Sequence, residues 1–301
     1  MHNNALTLGG INLDTLVTAK WLKQHINDSD LVILDCTVVT IPDTNDARGL
    51  KNVSGYPDYE LGHIPNAGFA DLKDELCKSN GPVEFDLLSP EKFCSAMGKL
   101  GVGDNSRVVL YDANYTGWAA RVWWMLRWVG FDTAAILDGG LSAWTSAGNA
   151  LSLEPVNRAA QQLTPKQRPE LIAQHDEVLG SIDNDAVILI DTLPEEFYRG
   201  EMSIYPRPGH IPGAVNINGL SLLDKTGHLL KQDELASMHD FDHNARIITY
   251  CGGGIVASTD AFVLTRLGFN NVSVYMASLE EWTTDPNNPM ETGEVKINNR
   301  N

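Results

Sequence analysis

The stretch Arg246-Ile-Ile-Thr-Tyr-Cys-Gly-Gly-Gly-Ile-Val256 passes from a short apolar run to a thiol, then to three glycines, then to a helix-like segment through residue 267. An apolar run of this length, bounded by glycine, reads as a buried strand. Strand, glycine-rich turn and helix in that order suit a parallel sheet covered by helices. Ligands in such sheets bind beyond the carboxyl ends of the strands, where Cys251 stands. Glycines let successive backbone N–H groups converge on one point, and the following helix turns its positive end toward it. A thiol held there is favoured as thiolate, the nucleophilic form. Cys251 is therefore the candidate nucleophile, and Gly252, Gly253, Gly254, Ile255 and Val256 are its candidate substrate-binding loop. The plainer reading of a free cysteine, buried and structural, suits Cys36, Cys77 and Cys94, none of which begins a glycine run.

Working outward, the chain repeats itself. Arg107-Val-Val-Leu-Tyr-Asp112 matches Arg246-Ile-Ile-Thr-Tyr-Cys251, Leu31-Val-Ile-Leu-Asp35 matches Val187-Ile-Leu-Ile-Asp191, and Gly62-His-Ile-Pro-Asn-Ala67 matches Gly209-His-Ile-Pro-Gly-Ala214. Each later half closes with a helix-like stretch (118–129, 256–267), a Gly-Phe pair and a Leu-x-x-Trp ending at Trp144 or Trp282. Matched landmarks in the same order identify a tandem duplication. The expected fold class is α/β, with two tandem domains that are each a parallel sheet flanked by helices. The expected boundaries are 1–149, a Pro- and Gln-containing linker at 150–169, and 170–301.

The chain has 301 residues, enough for two domains of this size. Its 22 Lys and Arg against 39 Asp and Glu give a net charge of −17, which opposes binding to nucleic acid or to anionic lipid. The four cysteines form no CxxC or CxxH spacing, so no metal site is expected. Nor is any cofactor. Four thiols are too sparse for a disulfide scaffold, the first residues lack a basic-then-apolar leader pattern, and no apolar run could span a bilayer. The cytoplasm is the expected compartment.

Tyr111-Asp112, Arg121-Val-Trp-Trp124, Leu137-Asp-Gly-Gly-Leu141, Gly209-His-Ile-Pro-Gly213 and Cys251-Gly-Gly-Gly-Ile255 together resemble the tandem-rhodanese sulfurtransferases, the thiosulfate and 3-mercaptopyruvate sulfurtransferases. The resemblance runs from about residue 31 to residue 282. It implies two rhodanese-like domains, the first catalytically silent with Asp112 in the place of the nucleophile. It also implies a double displacement, in which Cys251 takes sulfur from a small anionic donor as a persulfide and passes it to a thiol, cyanide or a thioredoxin-like acceptor.

The uncharged loop resembles the mercaptopyruvate type, but that type has a Ser at the place of Gly253 and a Thr near Val256. Thiosulfate and mercaptopyruvate both stand as donors. A donor carboxylate calls for an arginine clamp. One arginine expected from the resemblance falls on Phe197, leaving Arg199 and Arg207 as candidates against a solvated or structural role. His63 and His210 recur in both halves, which favours a role in the fold. The resemblance places His63 near the domain interface, where a proton relay is the alternative. Two other function classes compete. A cysteine phosphatase of related fold needs an Arg six positions after its Cys, where this chain has Ala257. A non-enzymatic binding or regulatory pair of rhodanese-like domains fits the missing hydroxyls and arginine, but not the intact Cys251 loop.

Overall fold

The matched apolar runs become the inner strands of two sheets built alike. A computed structural model describes residues 13–78 and 80–293. In the first half the strands are β1 (Leu16–Val17), β2 (Leu31–Asp35), β3 (Val38–Pro42), β4 (Leu50–Ser54), β5 (Ala67–Phe69), β6 (Arg107–Tyr111) and β7 (Ala134–Leu137). In the second they are β8 (Ile172–Ala173), β9 (Val187–Asp191), β10 (Val215–Asn216), β11 (Arg246–Tyr250) and β12 (Val272–Tyr275). The sheet orders are β1-β7-β6-β2-β5 and β8-β12-β11-β9-β10, all pairs parallel. Even the register repeats, with Asp35 beside Tyr111 and Asp191 beside Tyr250. β3 and β4 form a separate antiparallel hairpin.

The helices are α1 (Ala19–His25), α2 (Tyr56–Leu61), α3 (Pro90–Lys99), α4 (Gly117–Trp128) and α5 (Gly140–Ser146) in the first half. The second half has α6 (His175–Ser181), α7 (Glu195–Tyr198), α8 (Gln232–Met238), α9 (Ile255–Leu267) and α10 (Ser278–Trp282). Successive strand residues point to opposite faces, and both faces here are covered. Val32, Leu34, Val108 and Leu110 enter a core shared with Ile190, Ile247 and Val274 of the other half. The alternate residues Leu31, Ile33, Val109 and Tyr111 line a second core, and Leu189, Ile248 and Tyr250 a third. The runs are apolar throughout because neither face meets water.

α4 and α9, apolar on nearly all sides, form the seam between the halves. Trp123 stands edge-on to Phe262 at 4.7 Å and donates its indole N–H to the Ala134 carbonyl at 2.9 Å. Residues 150–168 contain no helix or strand and run along the first half. They are held there by Gln161 N–H to Gly98 O (2.9 Å), Lys166 N–H to Val129 O (2.8 Å) and a two-pronged Arg168–Asp132 pair.

Two buried carboxyls close the strand ends. Asp191 accepts the Leu193 N–H at 2.9 Å and lies against the Tyr250 hydroxyl, and Asp35 holds the same place by Thr37 and Tyr111. Burial pushes Asp191 up to about 7 and Asp35 up to about 6. Each therefore keeps a proton to higher pH when folded than when unfolded. The stability this contributes is full below about pH 4 and is lost as pH rises through about 6 to 7. Asp191→Asn is expected to flatten the fall in urea midpoint between about pH 5 and about pH 8; an unchanged slope would refute the assignment. Trp123→Ala, which opens a cavity in the seam, is expected to cost about 3–5 kcal/mol in the same measurement.

Candidate active site

Cys251 follows β11 and is 2% exposed. Its Sγ accepts the Gly254 N–H at 3.1 Å, the contact expected when a loop turns its amides toward a sulfur. Two glycines of the run are sterically required. Gly254 lies at φ +76°, and a Cβ there would meet the Arg121 guanidinium and the Met276 carbonyl. A Cβ on Gly252 would collide with the Tyr205 hydroxyl. The back of the loop is tied to α10: Leu279 N–H donates to Cys251 O at 3.1 Å, Glu280 N–H to Gly252 O at 2.9 Å, and the Ser278 hydroxyl accepts Cys251 N–H at 3.1 Å. α9 begins at Ile255, so Ile255 and Val256 belong to its first turn.

The first half carries the same construction with a different occupant. Asp112 follows β6, and its carboxylate accepts N–H groups from Asn114 (2.9 Å), Thr116 (3.1 Å) and Ala119 (3.0 Å). Leu141 N–H donates to Asp112 O at 3.1 Å, as Leu279 does to Cys251. The left-handed residue before the helix is Thr116 here and Gly254 there. It lies four residues after Asp112 but three after Cys251, so the first loop is one residue longer.

Above Cys251 opens a cavity of about 220 Å³ between the halves. The second half supplies Leu193, Ile204, Tyr205, Cys251 with its loop, and Glu280. From the first come Thr40, Arg48, Leu50 and Asn52 of the β3–β4 hairpin, Glu84 and Phe85 of the loop before α3, and Tyr115 and Trp118. Arg48 is its basic residue among those described, and it is already engaged. Nε and Nη2 bond Asp46 at 3.1 and 3.0 Å, and Nη1 bonds Glu84 at 2.8 Å. Glu84 also takes Lys73 at 2.8 Å and Asn52 at 3.0 Å, and its carboxyl is held below its ordinary value by these donors against the opposing effect of burial. A larger cavity, about 310 Å³, lies beyond Phe85 and Met276. It holds no thiol, and its ionisable lining is Asp86, His175, Asp176, Tyr275 and Glu281.

Arg121 joins the halves at this point. Its fully buried guanidinium donates to Gly254 O at 3.3 Å and Phe85 O at 2.7 Å, and touches Met276 Sδ. A first-half side chain thus holds the carbonyl of the residue whose N–H holds the nucleophile.

The candidates drawn from sequence divide clearly. Cys251, Gly252, Gly253, Ile255 and Val256 line the cavity, and Gly254 donates to the sulfur from behind. Arg199 and Arg207 are not in that lining. Arg199 pairs with Glu195 on α7 and with Glu201 just beyond it, and Arg207 donates to the carbonyls of Trp282, Thr283, Asp285 and Asn288, bracing the segment after α10. The His63 ring nitrogens face the Tyr59 and Glu154 carbonyls at 3.0 and 3.1 Å, and the ring stacks on Tyr59 at 4.0 Å. His210 stacks on Tyr198 at 3.6 Å. Each partner tyrosine donates to a carbonyl at the start of a strand or just before it (Ala67 in β5, Ala214 before β10), so the recurring histidine fixes the loop before the strand. Sequence reasoning missed Arg48, Glu84, Tyr205 and Glu280, which have no motif around them, and took Arg121 only as part of a resemblance. The other thiols are sealed in the core. Burial pushes Cys77 and Cys94 up to about 11, and it also pushes the Cys36 thiol well up. Among the described residues no cluster of three His, Cys, Asp or Glu side chains could hold a metal ion, and no helix is long and apolar enough to cross a membrane.

The rhodanese-like domain family matches residues 18–147 and again 174–285. The chain is 31% identical over 93% of its length to the probable 3-mercaptopyruvate sulfurtransferase of Pseudomonas aeruginosa, covering 98% of that protein. It is 32% identical over 91% of its length to the 3-mercaptopyruvate sulfurtransferase of Escherichia coli, covering 97% of it. The crystal structure of SseA from Escherichia coli superposes with a TM-score of 0.78 at 30% identity, over 88% of this chain and 98% of that one. Duplicated sheets, a thiol on a glycine loop and relatives matched nearly end to end agree: this chain belongs to the tandem-domain rhodanese family of sulfurtransferases.

Proposed function

We propose that this chain moves a sulfane sulfur from a small anionic donor to a thiophilic acceptor through a persulfide on Cys251. The carrying observation is the Cys251 Sγ, held at 3.1 Å from the Gly254 N–H on the floor of an open cavity. The thiolate attacks the terminal sulfur of the donor. The new S–S bond forms as the donor's bond to that sulfur breaks, and the leaving group departs with the electron pair. The acceptor then attacks the outer sulfur and restores the Cys251 thiolate. Backbone N–H groups of the loop stabilise the negative sulfur in both forms.

The walls favour 3-mercaptopyruvate over thiosulfate. Arg48, the cavity's basic residue among those described, is bonded to Asp46 and Glu84, and Glu280 adds a second carboxyl. A compact dianion finds no uncommitted side-chain cation there, whereas a monoanion is served by oriented N–H groups. The acceptor is a thiol, cyanide or a thioredoxin-like protein, which needs access only to the outer sulfur. Nucleic acid and membrane are not partners, consistent with the charge of −17. Four unpaired thiols suit the cytoplasm. A phosphatase reading lacks its arginine, because Ala257 lies buried within α9.

Intact mass spectrometry after incubation with each donor tests this reading. Wild type and Cys36→Ser are expected to gain one sulfur atom with mercaptopyruvate, while Cys251→Ser gains none. Loading of Cys251→Ser, or no loading of wild type by either donor, would overturn it. Arg121→Met keeps the volume but releases Gly254 O, and is expected to lower kcat roughly 10²-fold through misplacement of the loop. Unchanged turnover would show that the loop holds its shape without Arg121.

A further inference from the structure

Taking sulfur from a mercaptoketone breaks a C–S bond and leaves an enolate, which becomes product only when its carbon receives a proton. The cavity offers few groups able to carry one. Thr40 is committed, its hydroxyl donating to Asn52 at 2.7 Å. Glu84 is bonded by Arg48, Lys73 and Asn52, all of which favour the carboxylate. Tyr115 and Tyr205 are pushed well up by burial, reinforced by the negative groups around them, among them Cys251.

Glu280 remains, the third residue of α10, on the segment that follows the carboxyl end of the Tyr275 strand. Its backbone N–H bonds Gly252 O at 2.9 Å, so the residue is attached directly to the nucleophile loop. Its Oε2 accepts the Glu84 N–H at 3.1 Å, and a Cβ on Gly253 would stand 3.4 Å from that oxygen. Arg48 approaches only to 3.7 Å.

We infer that Glu280 is the proton-carrying catalytic residue of this site, resting on the sulfur-transfer reading above. As Cys251 attacks the donor sulfur, the S–S bond forms and the C–S bond breaks, with its electron pair passing to the carbon as an enolate. The Glu280 carboxyl protonates that carbon, giving pyruvate. The carboxylate left behind takes the S–H proton from Cys251–S–SH, which leaves the persulfide anion and restores Glu280 for the next turnover. Protons, sulfur and charge balance with no further reactant. Half-burial raises Glu280 above the ordinary carboxyl value, opposed by the Glu84 N–H and by Arg48. The other charged or titratable groups that face it are Glu84, Lys73, Tyr205 and Arg121.

The test compares two donors on the isosteric variant Glu280→Gln. Mercaptopyruvate needs its leaving carbon protonated, whereas an alkanethiosulfonate anion (R–SO2–S⁻) hands over its outer sulfur and releases a sulfinate that does not. Glu280→Gln is expected to lower kcat with mercaptopyruvate about 10²-fold, while persulfide loading from the thiosulfonate stays at the wild-type rate. In wild type, kcat with mercaptopyruvate is expected to fall as pH rises through the raised Glu280 value, and the variant should lack that limb. Equal loss with both donors would make Glu280 structural, and full activity with mercaptopyruvate would remove it from the reaction. Either result overturns the inference. Wild type that loads from the thiosulfonate but not from mercaptopyruvate also overturns it, yet leaves the persulfide reading intact. Failure with both donors overturns both.

Discussion

The buried Arg121 guanidinium, which pairs with no carboxylate among the described residues, donates to one carbonyl from each half, Gly254 and Phe85. Burying a cation this way is unfavourable unless its hydrogens are used, and burial does depress its pKa. The bonds make the cost tolerable, and they also make α4 of the first half part of the Cys251 loop. Phe85, on the other carbonyl, is itself a cavity wall. The nucleophile loop, the cavity wall and the seam between the domains thus depend on one side chain. The half that carries Cys251 does not complete the cavity by itself, and the first half supplies walls to it although it has Asp112 at the equivalent position.

The duplication also shows what the loop is built to hold. In the first copy the converging N–H groups of Asn114, Thr116 and Ala119 bind a carboxylate supplied by the chain itself. In the second the nucleophile sulfur takes that place, one residue is missing and glycines replace side chains. The cradle for an anion therefore does not depend on the thiol, because the first half forms it around a carboxylate. Cys251 makes use of a device the architecture already contains.

Electrostatics follow from the same device. A chain of net charge −17 attracts an anionic donor weakly at long range. Within the cavity Arg48 is matched by Asp46 and Glu84. Attraction at the reaction centre must come from fixed dipoles at short range, which act strongly where water is excluded. Such a site tolerates a carboxyl such as Glu280 beside the nucleophile loop when that carboxyl carries a proton.

Local patterns were enough to read the two parallel sheets, the matched landmarks and the placing of Cys251. Apolar runs bounded by glycine report burial on both faces, and a thiol followed by three glycines reports converging amides within a few residues. The recurrence of His63 and His210 pointed to a role in the fold; the stacking of each ring on a tyrosine is visible only in the structure. What sequence could not decide lies across the seam. Arg48, Glu84 and Glu280 are far apart in the chain and meet only because the hairpin and the loop before α3 fold over the other half. Arg199 and Arg207 stand outside the cavity lining, because proximity along the chain says nothing about which carbonyls or carboxylates a long side chain will find. Chain order specified the nucleophile and its cradle; the packing of two domains chose the walls around it.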